Sequence, residues 1–231
     1  MLGLVTIGQS PRNDVVQSMF GQFIHPDLIQ AGALDFLSTP EIIALAPRDG
    51  ELPLVTRLGD GAEVVVSKER ITALMNDAIQ RLERSGAVMI CVLCTGEFKG
   101  LASERRIVYP DRVLSGVVDA LLPGGALGVV IPHAGQRDSM ARKWARPRRS
   151  VEMSVVSPYD ESGSFEHAAV DLVSSGSDII VLDCMGYSTT MQAQTQAAVS
   201  MPVLIANGVV GAVLTSMLPR LSGSAQQSVR L

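Results

Sequence analysis

The sequence predicts an α/β protein of two pseudo-symmetric three-layer lobes, each built on a mainly parallel sheet and produced by duplication of one unit. Residues 85–96 align without a gap on residues 175–186, at an offset of 90 positions, and each copy reads as a helix end, a buried strand and then Cys-x-Gly. Segments rich in Val, Ile and Leu alternate with helical stretches, the pattern of a parallel sheet covered on both faces. A break at Pro123-Gly124-Gly125 is followed by a strand at 127–131 that resembles the one at 3–7. The expected lobes are therefore residues 1–122 and 123–207.

The elements follow in order. Strand 3–7 leads through Gly8-Gln9-Ser10 into a helix for which Ser10 is a suitable cap and Pro11 a suitable first residue. Residues 33–37 and 63–66 are short candidate strands, and Ser67 caps a helix running to Arg84. Strand 87–93 ends at Cys94. Residues 112–116 match 202–206 at the same offset of 90 and read as the last strand of each half. Between the halves come strand 127–131, a helix around 136–144, strand 151–156, a helix from about 165 to 174, and the strand that ends at Cys184.

Composition narrows the function. With 47% apolar and 18% charged residues the chain can bury a sizeable core, which excludes a disordered protein. A net charge of −4 argues against general nucleic-acid binding, which needs a concentrated basic surface. The basic run from Arg142 to Arg149 reads as a solvated helix end and receives no role. The apolar N-terminus is short and lacks a basic region before it, and the apolar stretch 201–218 is interrupted by Pro202 and Asn207, short of a span of about 20 apolar residues. No membrane partner is expected. Three cysteines fit a reducing compartment, with the cytoplasm as the default location, and do not form a disulfide framework.

Cys94 and Cys184 are the leading chemical candidates. In open α/β sheets, ligands bind at the strands' C-terminal edge, so a cysteine repeated at that edge suggests one cleft with two facing thiols. A helix N-terminus starting there would lower the thiol pKa from about 8.5 toward neutrality. Cys91, matched by Val181, reads as core, and Cys91-x-x-Cys94 is no redox motif because strand residues three apart point to opposite faces. Three Cys and three His at these spacings offer no zinc site. Gly8, Gln9, Ser10 and Arg12 follow the first strand and should reach the same edge, Arg12 suiting a carboxylate. His133 mirrors that loop in the second half and Asp183 supports Cys184 from the opposite face, while His25 and His167 read as ordinary helix or loop residues.

The stretch Thr6-Ile7-Gly8-Gln9-Ser10-Pro11-Arg12, with Cys94-Thr95-Gly96 and Leu182-Asp183-Cys184-Met185-Gly186-Tyr187, resembles the AroM family. That family is similar to the larger aspartate/glutamate and hydantoin racemase superfamily. The resemblance implies two lobes about a pseudo-two-fold axis, an active site between them, one cysteine on each side of the substrate, and residues 208–231 packing back on the first lobe. It also implies a possible homo-oligomer. Superfamily amino-acid racemases usually carry Cys-Asn-Thr and Cys-Thr-His, so an acidic amino acid is not the expected substrate here.

Together these readings lead to a cofactor-independent racemase or epimerase using Cys94 and Cys184 as an acid/base pair on a carbon next to a carbonyl or carboxylate. No metal or cofactor is expected. Thr95, Gly96, Met185, Gly186 and Tyr187 join the predicted substrate-binding set, the substrate being a small carboxylate or cyclic amide. The alternatives are a one-cysteine lyase, cis–trans isomerase or hydrolase on the same scaffold, and a small-molecule binding protein that performs no chemistry.

Overall fold

The computed structural model describes residues 1–21, 27–160 and 163–218. His25 and residues 219–231 of the expected C-terminal segment lie outside them. The first half runs β1 (Leu2–Thr6), α1 (Asn13–Phe20), β2 (Leu28–Gly32), α2 (Thr39–Ile43), β3 (Pro53–Arg57), β4 (Glu63–Ser67), α3 (Lys68–Arg84), β5 (Met89–Val92), β6 (Arg106–Val108) and α4 (Pro110–Leu121). The second half runs β7 (Gly125–Ile131), α5 (Arg137–Trp144), β8 (Arg149–Val155), α6 (Phe165–Ser174), β9 (Ile179–Leu182), α7 (Thr189–Ala197), β10 (Val203–Ile205) and α8 (Ala206–Met217), with a 3₁₀ turn at Ala134–Gln136 before α5.

Each half forms a four-stranded parallel sheet, ordered β2-β1-β5-β6 in one and β8-β7-β9-β10 in the other. The orders are equivalent, and so is the seam beside each cysteine. Leu93 N–H bonds the Val5 carbonyl at 2.7 Å, and Asp183 N–H bonds the Val130 carbonyl at 2.9 Å. The first half adds an antiparallel hairpin, β3–β4, that has no counterpart among the described residues of the second.

Strand alternation sorts the core. Leu2, Leu4 and Cys91 point to one side of the first sheet, and Val5, Ile90 and Val92 point to the other. The inner sides of both sheets share one apolar cluster with α1, α4, α5 and α8, so the halves are joined by a common core. Outer faces are covered separately, by α3 with the hairpin side and by α6 with α7. Among the described residues, no helix is long and apolar enough to cross a membrane.

Four local expectations are corrected. The second strand is Leu28–Gly32, and residues 33–36 turn away from it. Residues 112–116 belong to α4, started by Pro110 at its first position and Asp111 in its first turn; the true counterpart of β10 is β6. Ser10 does not cap α1, because Arg12 holds the cap position and Ser10 bonds Asp35 instead. No helix begins at either cysteine: Cys94 opens into a loop, and α7 starts only at Thr189.

Helix α8 returns to lie on α1 and α4, and it approaches α1 so closely that a Cβ at Gly211 would overlap the Met19 carbonyl. Gly116, exposed in α4, has no neighbour where its Cβ would stand. Gly211→Ala should therefore destabilise by about 1–3 kcal/mol through overpacking. Gly116→Ala should instead stabilise by about 0.5–1 kcal/mol through helix propensity. Denaturant unfolding of both variants measures the pair; equal effects would refute the α1–α8 contact.

Candidate active site

Cys94 and Cys184 line one cleft of about 870 Å³. Each is partly exposed, at the C-terminal edge of its sheet. Each sulfur accepts the backbone N–H of the glycine two residues on: Gly96 to Cys94 and Gly186 to Cys184, both at 3.4 Å. The amides of the intervening residues, Thr95 and Met185, carry no hydrogen bond among the described residues, although both residues are buried.

Two sets of side chains flank the thiols. Beside Cys184, the buried Arg12 binds Asp14 through Nε and Nη2, at 2.9 and 2.7 Å, and Nη2 also donates to the Tyr159 hydroxyl at 2.9 Å. Among the described residues, Nη1 makes no hydrogen bond. Gly186 is needed here because a Cβ would overlap the Tyr159 hydroxyl. Beside Cys94, Lys143 Nζ donates to both oxygens of Asp183, each at 2.8 Å, and to the Thr95 carbonyl at 3.0 Å. The Trp144 indole N–H adds a third bond to the Asp183 carboxylate at 2.8 Å, and the Thr95 hydroxyl donates to the Asp183 carbonyl at 3.1 Å. One network thus fastens the two cysteine loops to each other.

Desolvation dominates the thiols' acidity. It pushes Cys94 up to about 11, against the opposing help of the Gly96 N–H and Lys143, and Cys184 up to about 12, against Gly186 N–H and Arg12. The two cysteines also act on each other electrostatically. This overturns the expected near-neutral thiols, since the helix N-termini that would have lowered them are absent. Cys91 is fully buried in the shared core, where desolvation pushes it up to about 12.

Of the other residues singled out from sequence, Arg12, Thr95, Gly96, Met185 and Gly186 line the cleft. Gly8, Gln9, Ser10, His133 and Tyr187 do not. Gln9 joins Leu34 to Gly59, and Ser10 holds Asp35, so this loop braces the first half. Gly8 packs directly on Thr56 of β3. His133 accepts the Gly135 N–H at 3.0 Å, and Tyr187 is sealed behind β9 with its hydroxyl on the Val156 carbonyl.

Sequence reasoning missed three contributors. The hairpin strand β3 supplies Leu54, Val55 and Thr56 to one wall, and Gln136 of the second half bonds its Pro53 carbonyl at 3.0 Å. Lys143 lies inside the basic run that the sequence pattern makes solvated, yet Lys143, Arg146 and Arg149 are all ion-paired. The signal was the adjoining Trp144, an apolar residue that pulls the run inward. Asp111 lines the cleft as well. Among the described residues, no group of three or more His, Cys, Asp or Glu converges as a metal site would require.

Two parallel sheets about a shared core, with a cysteine at the equivalent edge of each, define a duplicated α/β fold. The sequence profile of the AroM protein family matches residues 2–218, and the chain belongs to that family. No curated protein matches its sequence. Among solved structures, a liganded double mutant of arylmalonate decarboxylase superposes with a TM-score of 0.60 at 14% identity, over 97% of this chain and 93% of that one. Glutamate racemase from Francisella tularensis subsp. tularensis SCHU S4, in complex with D-glutamate, gives 0.58 at 13%, over 97% and 84%. The maleate isomerase Iso from Pseudomonas putida S16 gives 0.61 at 11%, over 96% and 98%. At these identities the likeness is one of fold.

Removing the cation at the centre of the site should be costly. Lys143→Met leaves the buried Asp183 without its ion-pair partner, a loss of about 3–5 kcal/mol by denaturant unfolding. A variant within about 1 kcal/mol of the parent, the range of a surface pair, would contradict the buried-network reading.

Proposed function

We propose that the chain is a cofactor-independent racemase or epimerase in which Cys94 and Cys184 exchange a proton with opposite faces of one carbon. The observation that carries this reading is the pair of thiols on one cleft, each held by the N–H of its own Cys-x-Gly segment. One cysteine, as thiolate, takes the proton of the C–H bond next to a carbonyl or carboxylate. The electron pair left behind moves onto the substrate oxygen, and the thiol of the other cysteine returns a proton to the carbon from the far side. The amides of Thr95 and Met185, which carry no hydrogen bond among the described residues, would meet the oxygen's developing charge. Arg12 Nη1 is available for a substrate carboxylate.

The solved relatives support the chemistry by class, since glutamate racemase and maleate isomerase are by name isomerases. The shared core between the sheets argues against a hinged binding protein, because opening the cleft widely would expose it. A one-cysteine reaction is the second reading, and one observation favours it: Cys94 faces Lys143, whereas Cys184 faces Arg12 and Tyr159. Arylmalonate decarboxylase among the relatives fits that reading.

The experiment is loss or inversion of optical activity across a panel of chiral amino acids, hydantoins and hydroxy acids, with deuterium uptake from D₂O. Cys94→Ser and Cys184→Ser should each lower turnover by about 10²–10⁴-fold, the usual worth of a positioned acid or base. Because both thiols titrate above the neutral range, kcat/KM of the parent should rise about tenfold per pH unit from pH 6 to 9 as thiolate forms. One silent and one inactive variant would select the one-cysteine reaction instead. A rate that levels off near pH 7 would contradict the raised thiols.

A further inference from the structure

Six polar side chains of the cleft wall are buried: Arg12, Thr56, Thr95, Asp111, Gln136 and Asp183. The Thr95 hydroxyl and the Asp183 carboxylate have partners within the network that joins the cysteine loops. Thr56 Oγ1 and Asp111 Oδ1 have none, but both atoms are sealed from solvent, so neither marks ligand space. Arg12 and Gln136 differ from these four. Each has one polar atom, Nη1 and Oε1 respectively, that makes no hydrogen bond among the described residues and is not sealed.

The Gln136 amide is held in one orientation. Its Nε2 donates to the Pro53 carbonyl at 3.0 Å, and a carbonyl can only accept, so the open end of the amide is the acceptor oxygen. The next residue of β3, Leu54, packs where a Cβ of Gly96 would stand, which ties Gln136 to the Cys94 segment. Arg12 and Gln136 occupy matching places, in the loops that follow β1 and β7. The two loops therefore present opposite polarity, a cationic donor beside Cys184 and a neutral acceptor on the Cys94 side. A ligand meeting both carries an anionic acceptor and a hydrogen-bond donor. That donor should be uncharged. Asp14 and Asp183 are already paired with Arg12 and Lys143, and burying a cation against a neutral amide alone costs more than one hydrogen bond returns.

We propose that Gln136 is a specificity-determining residue whose Oε1 accepts a hydrogen bond from an uncharged hydroxyl or amide N–H of the substrate, which makes the substrate a hydroxy acid or acylamino acid and not a free amino acid. This rests on the cysteine cleft being the substrate site with Arg12 at the carboxylate. Its test reads no turnover, so a failure of the two-base scheme and a failure of this proposal are told apart.

The test is alkylation of Cys94 in the full chain, followed by peptide mass spectrometry, with three carboxylate reagents: β-bromopropionate, which carries no donor, β-bromolactate, which carries a hydroxyl, and β-bromoalanine, which carries an ammonium. The rate ratio of bromolactate to bromopropionate at Cys94, divided by the same ratio for glutathione, cancels the reactivity of the reagents and of the thiol. Gln136→Leu should lower this quotient about fivefold, the worth of one hydrogen bond. Gln136→Lys, whose ammonium keeps a donor for the Pro53 carbonyl but has no acceptor, should lower it equally, since its charge acts alike on both acids. An unchanged quotient in both variants overturns the proposal. A fall in Gln136→Leu alone also overturns it, because the effect would then come from the bond to the hairpin. A bromoalanine quotient in the parent as high as that of bromolactate overturns the uncharged donor.

Discussion

The Asp183 carboxylate is the constraint around which the site is built. It is sealed from solvent, so it must be paired, and a buried charge left alone costs several kcal/mol. Lys143 and Trp144, at the end of α5, supply the pairing. Lys143 reaches on to the Thr95 carbonyl, and the Thr95 hydroxyl reaches back to Asp183. Satisfying one acid thereby fixes the spacing between the segments that carry Cys94 and Cys184. The core shared by the two sheets then holds that spacing rigid.

The same burial sets the chemistry of the thiols. In a desolvated wall the neutral thiol is favoured, and only one glycine N–H and one more distant cation oppose this at each sulfur. Such groups hold their protons at neutral pH and release them to a strong demand, which suits the proposed alternation of donor and acceptor. The cost is a small thiolate fraction. In the proposed reaction, the amides of Thr95 and Met185 lessen the demand on the base by stabilising the product of proton removal.

Much of this was legible in the chain because it is local or periodic. The offset between Cys94 and Cys184 is kept by β5 and β9, Cys91 lies in the core as its match with Val181 indicates, and Asp183 turns to Trp144 of the inner core while Cys184 packs on the outer cluster. The offset fails beyond the cysteines, because α7 stands in the second half where the first has only a loop. Val113-Leu114 looked like strand only when Pro110 and Asp111, a helix start, were ignored. The β3 wall and the inward turn of Lys143 depend on contacts between residues dozens of positions apart, and no local pattern encodes them. The glycine N–H bonds to sulfur were half visible: the repeated Cys-x-Gly announced a special geometry without its direction.

The central claim is that the two thiols face one ligand-sized space. Bifunctional alkylation with dibromobimane, followed by peptide mass spectrometry, tests it most directly. The account predicts a single adduct per chain that bridges Cys94 and Cys184, with Cys91 unmodified. Separate singly attached adducts on the two cysteines, with no bridged peptide under any reagent ratio, would contradict it.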